Sequence, residues 1–148
     1  MKPLEGITVL EFSTMITASF AAMMMAEQGA KVIKVEPMNV GDPMRYIGAN
    51  KGGISSLFAN CNRGKQSIRV NLKEEAGQAL IREMVPEVDV FIHNFRPGVM
   101  DKLNLGSEAL RELNPRLIYA AISGFGKEGP LGKACLLYTS DAADEFMG

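Results

Sequence analysis

The chain has 148 residues, 47% of them hydrophobic, which suffices to bury a real core, so it reads as one domain or a piece of a larger one and not as disorder. Sixteen Lys and Arg against seventeen Asp and Glu leave a formal charge of -1, which provides no global field for nucleic acid or an acidic membrane surface; any anion must be held locally. The opening Met1-Lys2-Pro3-Leu4-Glu5-Gly6 has no signal-like apolar core, no apolar run approaches the roughly 20 residues that span a bilayer, and Cys61, Cys135 and the single His93 lack metal-ligand spacing. The expectation is a cytoplasmic protein with no zinc site and with Cys61 as a buried free thiol.

Ile7 to Phe12 (ITVLEF) and Lys31 to Val35 (KVIKV) are short apolar runs of strand character, and the Ala- and Met-rich stretch Thr17 to Gln28 between them predicts a helix. Gly29 suits the end of that helix and Thr17 or Ser13 its start. Because Ala21, Ala22, Met23, Met24 and Met25 make it apolar nearly all round, it should be covered on more than one side. Pro37 to Lys65 is rich in Gly, Asn, Pro and Ser, which predicts a long surface excursion with only Ser55 to Asn60 helical. Ser67 to Leu72 predicts a strand, and Lys73 to Val85 a helix with Ala76, Leu80 and Met84 on its apolar face, stopped by Pro86. Val88 to Ile92 is the next predicted strand. A short helix follows over Val99 to Leu103, then one from a Ser107 cap to Asn114 with Glu108 in its first turn. Leu117 to Ser123 (LIYAAIS) is near-continuously apolar and predicts a strand buried on both faces. Strands alternating with helices predict a parallel α/β sheet.

In such a sheet, ligands gather beyond the carboxyl ends of the strands, which selects Glu11 to Ile16, Glu36 to Arg45, His93 to Gly98 and Gly124 to Pro130. Gly124 to Gly129 matches GxGxxG, but Pro130, Leu131 and Gly132 continue a loop where a dinucleotide fingerprint would open a helix. Asn94-Phe95-Arg96-Pro97-Gly98, with Lys102 a turn further on, could stack a purine and reach a phosphate, or be an ordinary strand-to-helix turn. Arg63, Lys65, Arg69 and Lys73 are either a phosphate-binding cluster or a solvated face. Glu11, Glu36 and Asp42 could act as general bases, or bond backbone amides and pair with a base such as Arg45; none is assigned catalysis.

Taken in order, the segments resemble the family III CoA transferases, which include formyl-CoA and carnitine-type transferases and α-methylacyl-CoA racemase. The residues that carry the likeness are Pro3-Leu4-Glu5-Gly6 running into VLEFS, Gly29 to Glu36 (GAKVIKVE), Gly41-Asp42 with Arg45, Asn62 to Lys65 (NRGK) with Ser67, Asn94 to Met100 (NFRPGVM), Asn114 to Tyr119 (NPRLIY), and Ser123 to Gly126 (SGFG) with Gly129-Pro130. The likeness runs from Pro3 to about Lys133.

It implies an α/β fold with a Rossmann-like parallel sheet flanked by helices, the N-terminal part of a family large domain over residues 3–133, and a non-native tail over 134–148. It also implies CoA or acyl-CoA and a carboxylic acid as substrates, no covalently bound cofactor, and an interlocked homodimer as the parent enzyme. Carried over by position, Met15 and Ile16 would line the pantetheine path, Val70 would flank the adenine, and Asn94, Phe95 and Lys102 would hold the nucleotide end. The chain departs from the family pattern at Ala18-Ser19, usually Gly-Pro, at Pro37, often Arg, and at Asn71, commonly Asp.

In the transferases an Asp attacks the acyl-CoA thioester to form a mixed anhydride, whereas in the racemases a His and an Asp move the proton beside the thioester. The family spacing places the transferase Asp near Tyr138, where this chain has no carboxylate; Asp141 is the nearest. The catalytic residue is therefore left unassigned, expected beyond Lys133. The resulting expectation is an N-terminal CoA-transferase fragment, itself without turnover, with a racemase-type parent or a CoA-binding module without catalysis as alternatives.

Overall fold

A computed structural model describes residues 1–126 and 129–132. In chain order it contains β1 (Thr8–Phe12), α1 (Thr17–Glu27), β2 (Lys31–Glu36), a 3-10 turn (Pro43–Tyr46), β3 (Asn50–Lys51), β4 (Ile54–Ser55) and α2 (Ser56–Asn62). These are followed by β5 (Gln66–Arg69), α3 (Glu75–Met84), a second 3-10 turn (Val85–Glu87), β6 (Val90–His93), α4 (Val99–Lys102), α5 (Ser107–Leu113) and β7 (Ile118–Ala121). Five strands form a parallel sheet in the order β5-β2-β1-β6-β7, with β3 and β4 as a separate antiparallel hairpin. The chain winds from β1 outward to β5, then crosses back to β6 on the other side of β1. The order thus reverses between β1 and β6, the place where an open sheet offers a crevice.

Alternation along the strands sorts side chains to two faces. On one, Val9, Val32, Val90 and Ile92 pack against Ala18 and Ala22 of α1. On the other, Leu10, Phe12, Val35 and Phe91 meet Ile81, Met100, Leu105 and Leu110 from α3, α4, the α4–α5 link and α5. Phe91 stacks between Phe12 and Tyr119, with ring centroids 4.7 and 5.0 Å away. Fully buried side chains such as Phe12 and Phe91 contribute about 1.5–3 kcal/mol each. The α1 helix ends as its sequence predicts: Gly29 has φ +106°, its N–H donates to the Ala26 carbonyl and the Ala30 N–H to that of Met25, so two otherwise open carbonyls are satisfied.

Several local expectations are corrected. Neither Thr17 nor Ser13 caps α1; Ile16 occupies the cap position with no side-chain bond. Ser107 is the first residue of α5, after Gly106 at the cap, and its hydroxyl makes no cap bond. The apolar face of α3 is rotated by one residue, with Ile81 fully buried and Leu80 47% exposed. β7 lies at the sheet edge and leaves Ile118 62% exposed, so continuous apolarity did not mean burial on both faces. The excursion after Pro37 is more ordered than its composition suggests, because Asp42 and Met44 within it are fully buried. Among the described residues, no helix is long and apolar enough to cross a membrane. Cys61 is a buried free thiol, as expected.

Candidate functional site

At the carboxyl ends of β1 and β6, where the strand order reverses, lies the turn Ser13 to Ile16. Met15 sits in the left-handed region at φ 63°. That conformation costs a non-glycine residue about 1–2 kcal/mol and persists only where the surroundings hold it. Two side chains from distant segments do so. Asn94 accepts from the Thr14 N–H (3.0 Å) and donates to the Thr14 carbonyl (2.7 Å) and the Thr17 hydroxyl (3.0 Å). Asp42 Oδ1 accepts from the Met15 N–H (3.2 Å) and the Met44 N–H (2.9 Å). Gripped from both flanks, the turn presents Met15 and Ile16 outward, 38% and 49% exposed.

Beneath the turn lies a layer of buried charge. Glu11 on β1 is the direct cross-strand partner of Lys34 on β2, on the sheet face that carries Val9 and Val32. The Lys34 ammonium reaches Glu11 (2.9 Å), Asp42 (2.9 Å), the Ser13 carbonyl (3.1 Å) and hydroxyl (3.0 Å), and the Ser19 hydroxyl (3.1 Å). Lys65 closes on the other oxygen of Glu11 at 2.7 Å and donates to the Ser19 carbonyl and Asn62. Glu11 Oε2 and Asp42 Oδ2 are satisfied by charge alone: each lies against an ammonium with no donor aligned on it. Glu36 grips Arg45 with both oxygens (2.6 and 2.8 Å) and also accepts from Ser67 (2.6 Å) and the Asp42 N–H (2.8 Å).

Three carboxylates thus face three cations, and removing one partner from such a pair costs about 3–5 kcal/mol. Burial works against ionisation of Glu36, but Arg45, Ser67 and the Asp42 amide outweigh it and bring its pKa down to about 2. Burial lowers the pKa of Lys65, against the pull of Glu11. Of the strand-end carboxylates read from sequence, Glu11, Glu36 and Asp42 are therefore structural partners, not free bases.

A cavity of about 200 Å³ opens at the ends of β6 and β7, lined among others by His93, Phe95, Met100, Asp101 and Tyr119. The Phe95 N–H donates to His93 Nδ1 (3.2 Å), which leaves the ring proton on Nε2. Burial lowers the His93 pKa, with Asp101 opposing, so the ring is neutral near pH 7; burial and Asp101 raise that of Tyr119 to about 12. A larger cavity, about 300 Å³, lies at the opposite end of the sheet. Two of its polar side chains are engaged by neighbouring backbone: Asp89 accepts from the Thr8 N–H, and Asn114 donates to the Val85 and Val88 carbonyls.

The residues expected to hold a ligand are dispersed around the crevice. Met15 and Ile16 lie in the turn after β1 that Asn94 holds, whereas Phe95 lines the cavity at the β6–β7 ends; Lys102 is exposed on α4, and Val70 follows β5 and is buried in the core with Ile81. The amide of Asn94 is engaged in holding the turn. The basic cluster does not converge: Arg63 pairs with Glu27, Lys65 is buried, Arg69 reaches the Met38 carbonyl and Lys73 is exposed. Gly124 to Gly126 and Gly129 to Gly132 are bends and turns, as their composition predicts, whereas Tyr138 and Asp141 lie outside the described residues. The part of Lys34, Ser13 and Ser19 in the buried network escaped the sequence reading, although Lys34 shares the parity of the inward-facing Val32.

The family model for CoA-transferase family III matches residues 4–136. The chain belongs to this family. Among similar family proteins, acetyl-CoA:oxalate CoA-transferase of Acetobacter aceti is 45% identical over 87% of the chain and 33% of its own length. Human succinyl-CoA:glutarate CoA-transferase is 38% identical over 90% of the chain and 31% of its own length. A CAIB/BAIF family protein from Brucella suis has a solved structure that superimposes with a TM-score of 0.84 at 38% identity, covering 90% of this chain and 36% of that one. The chain thus spans about a third of the length of the curated family III relatives it matches. The match covers, from Leu4 onward, the segments that carried the likeness and extends three residues beyond Lys133.

Proposed function

We propose that this chain is the CoA-holding part of a family III transferase that moves coenzyme A from an acyl-CoA thioester to a carboxylic acid. The reading rests on one observation above all: the strained turn at Met15, fixed from two sides, exposes two apolar side chains at the sheet's reversal point. A long, flexible thiol arm suits such an edge, with Met15 and Ile16 along the pantetheine, Val70 forming the wall near the adenine from within the core, and Phe95 and Lys102 at the nucleotide end. Asn94 acts there through the turn it holds.

In this reading the chemistry resides in an aspartate supplied beyond Lys133 by the parent enzyme. Its carboxylate attacks the thioester carbonyl, the C–S bond breaks, and CoA leaves as thiolate while an acyl-aspartyl anhydride forms. The parent enzyme acts as an interlocked homodimer in the cytoplasm and needs no covalently bound cofactor. Glu11, Glu36 and Asp42 are paired and buried, which favours a carboxylate from elsewhere over any of these three. Calorimetric titration of the folded chain with CoA tests the binding step: Lys102→Ala is expected to weaken it roughly fivefold, the loss of one exposed charge-assisted contact. A folded chain that takes up no CoA would remove the proposal.

A further inference from the structure

We infer that Asp42 is a positioning residue for the ligand-facing turn, acting through the Met15 amide and held in turn by Lys34. Three observations carry this. Met15 is one of two non-glycine residues with positive φ among the described residues, and a methionine does not choose that conformation unaided. Its N–H is met by Asp42 Oδ1, which also takes the Met44 N–H and so ties the turn after β1 to the 3-10 turn after β2. The other oxygen of Asp42 rests on the Lys34 ammonium at 2.9 Å, and Asp42 is fully buried.

The pairing has a direction. Lys34 is itself fixed by Glu11, Ser13 and Ser19 on the sheet and on α1, so it serves as an anchor and not as a mobile counter-ion. The charge of Lys34 holds Asp42, Asp42 holds the Met15 amide, and the amide sets the direction in which Met15 and Ile16 leave the backbone. Asn94 brackets the turn from the β6 side, bonding Thr14 before Met15 and the Thr17 hydroxyl after it, but it makes no bond to the Met15 amide. Asp42 is therefore the side chain that holds the Met15 amide itself, within a turn that Asn94 brackets at Thr14 and Thr17.

This inference rests on the reading that CoA passes over the turn, and the test separates the two. Amide hydrogen exchange is followed in the unaltered chain, in Asp42→Ala, in Asp42→Asn and in Ile81→Val, the last a core change on the opposite sheet face; CoA affinity is measured on each by calorimetry. The Met15 amide of the unaltered chain is expected to exchange as slowly as the amides of β1. In Asp42→Ala it is expected to speed up at least tenfold more than strand amides do, with CoA affinity down tenfold or more. Asp42→Asn keeps an acceptor oxygen but loses the charge that Lys34 holds, and should fall between. Ile81→Val should lower stability while leaving the Met15 amide and CoA affinity within about twofold.

A fast-exchanging Met15 amide in the unaltered chain overturns the inference without any variant. So does a folded Asp42→Ala or Asp42→Asn chain that keeps that amide protected, or binds CoA as before. If the unaltered chain binds no CoA, the proposed function fails; the exchange of the Met15 amide then still decides whether Asp42 holds the turn.

Discussion

At Glu36, burial opposes ionisation, yet two hydrogen bonds from Arg45, one from Ser67 and one from the Asp42 amide reverse the balance and bring the pKa from 4.5 to about 2. A carboxyl with a lowered folded-state pKa contributes its stability fully above its ordinary value and loses it as the pH falls toward the folded value. Glu36→Gln is therefore expected to cost about 2–3 kcal/mol at pH 7, discounted for the partly exposed Arg45, with the difference shrinking between pH 4.5 and 2. Urea unfolding of both chains across that range checks it; a gap that persists at pH 2 argues against the assignment. Gly77 makes a second residue-scale case. Helix propensity favours alanine there by about 1 kcal/mol. A Cβ, however, would lie 2.1 Å from the Asn71 carbonyl oxygen and 3.1 Å from Val70. Gly77→Ala should lower the melting temperature, by about 1–3 kcal/mol of stability, because backbone has to move.

The close approach at Gly77 also accounts for the orientation of α3. Ala76-Leu80-Met84 and Gly77-Ile81-Met84 are equally good helical rows by spacing, and nothing local separates them. Only the second row lets the helix approach the Val70-Asn71 backbone, so Ile81 turns inward and Leu80 faces solvent. Denaturant melts should separate the two readings: Ile81→Ala is expected to cost about 2–5 kcal/mol, Leu80→Ala less than about 1 kcal/mol. The element-scale error at α1 has a related cause. A serine or threonine near a helix start is available as a cap, but Ser13 is taken by Glu11 and Lys34, and Thr17 by Asn94. Competition from tertiary partners is invisible to a capping rule.

For the whole molecule, the sheet's strand order puts β7 at an edge that α1 does not cover. Ile118 is the cross-strand partner of Val90, and so faces the α1 side, where Phe20 and Met24 are also exposed. An apolar edge of this kind favours association. Sedimentation velocity is expected to show concentration-dependent self-association of the chain, and Ile118→Lys should reduce it with little change in melting temperature. Unchanged association would place the contact elsewhere.

The order of elements, the parallel sheet and the family likeness were legible because hydrophobic period, turn residues and short motifs are local properties of the chain. So were the crevice-forming segments, since Met15, Ile16, Asn94 and Phe95 follow two predicted strands. What those side chains do there depended on register and strand order. Asn94 reaches Thr14 across 80 residues, Asp42 reaches Met15 across 27, and Glu11 meets Lys34 across 23. Whether a charged group serves a ligand or a buried partner is decided by what packs around it after the strands pair, and only the tertiary structure determines that.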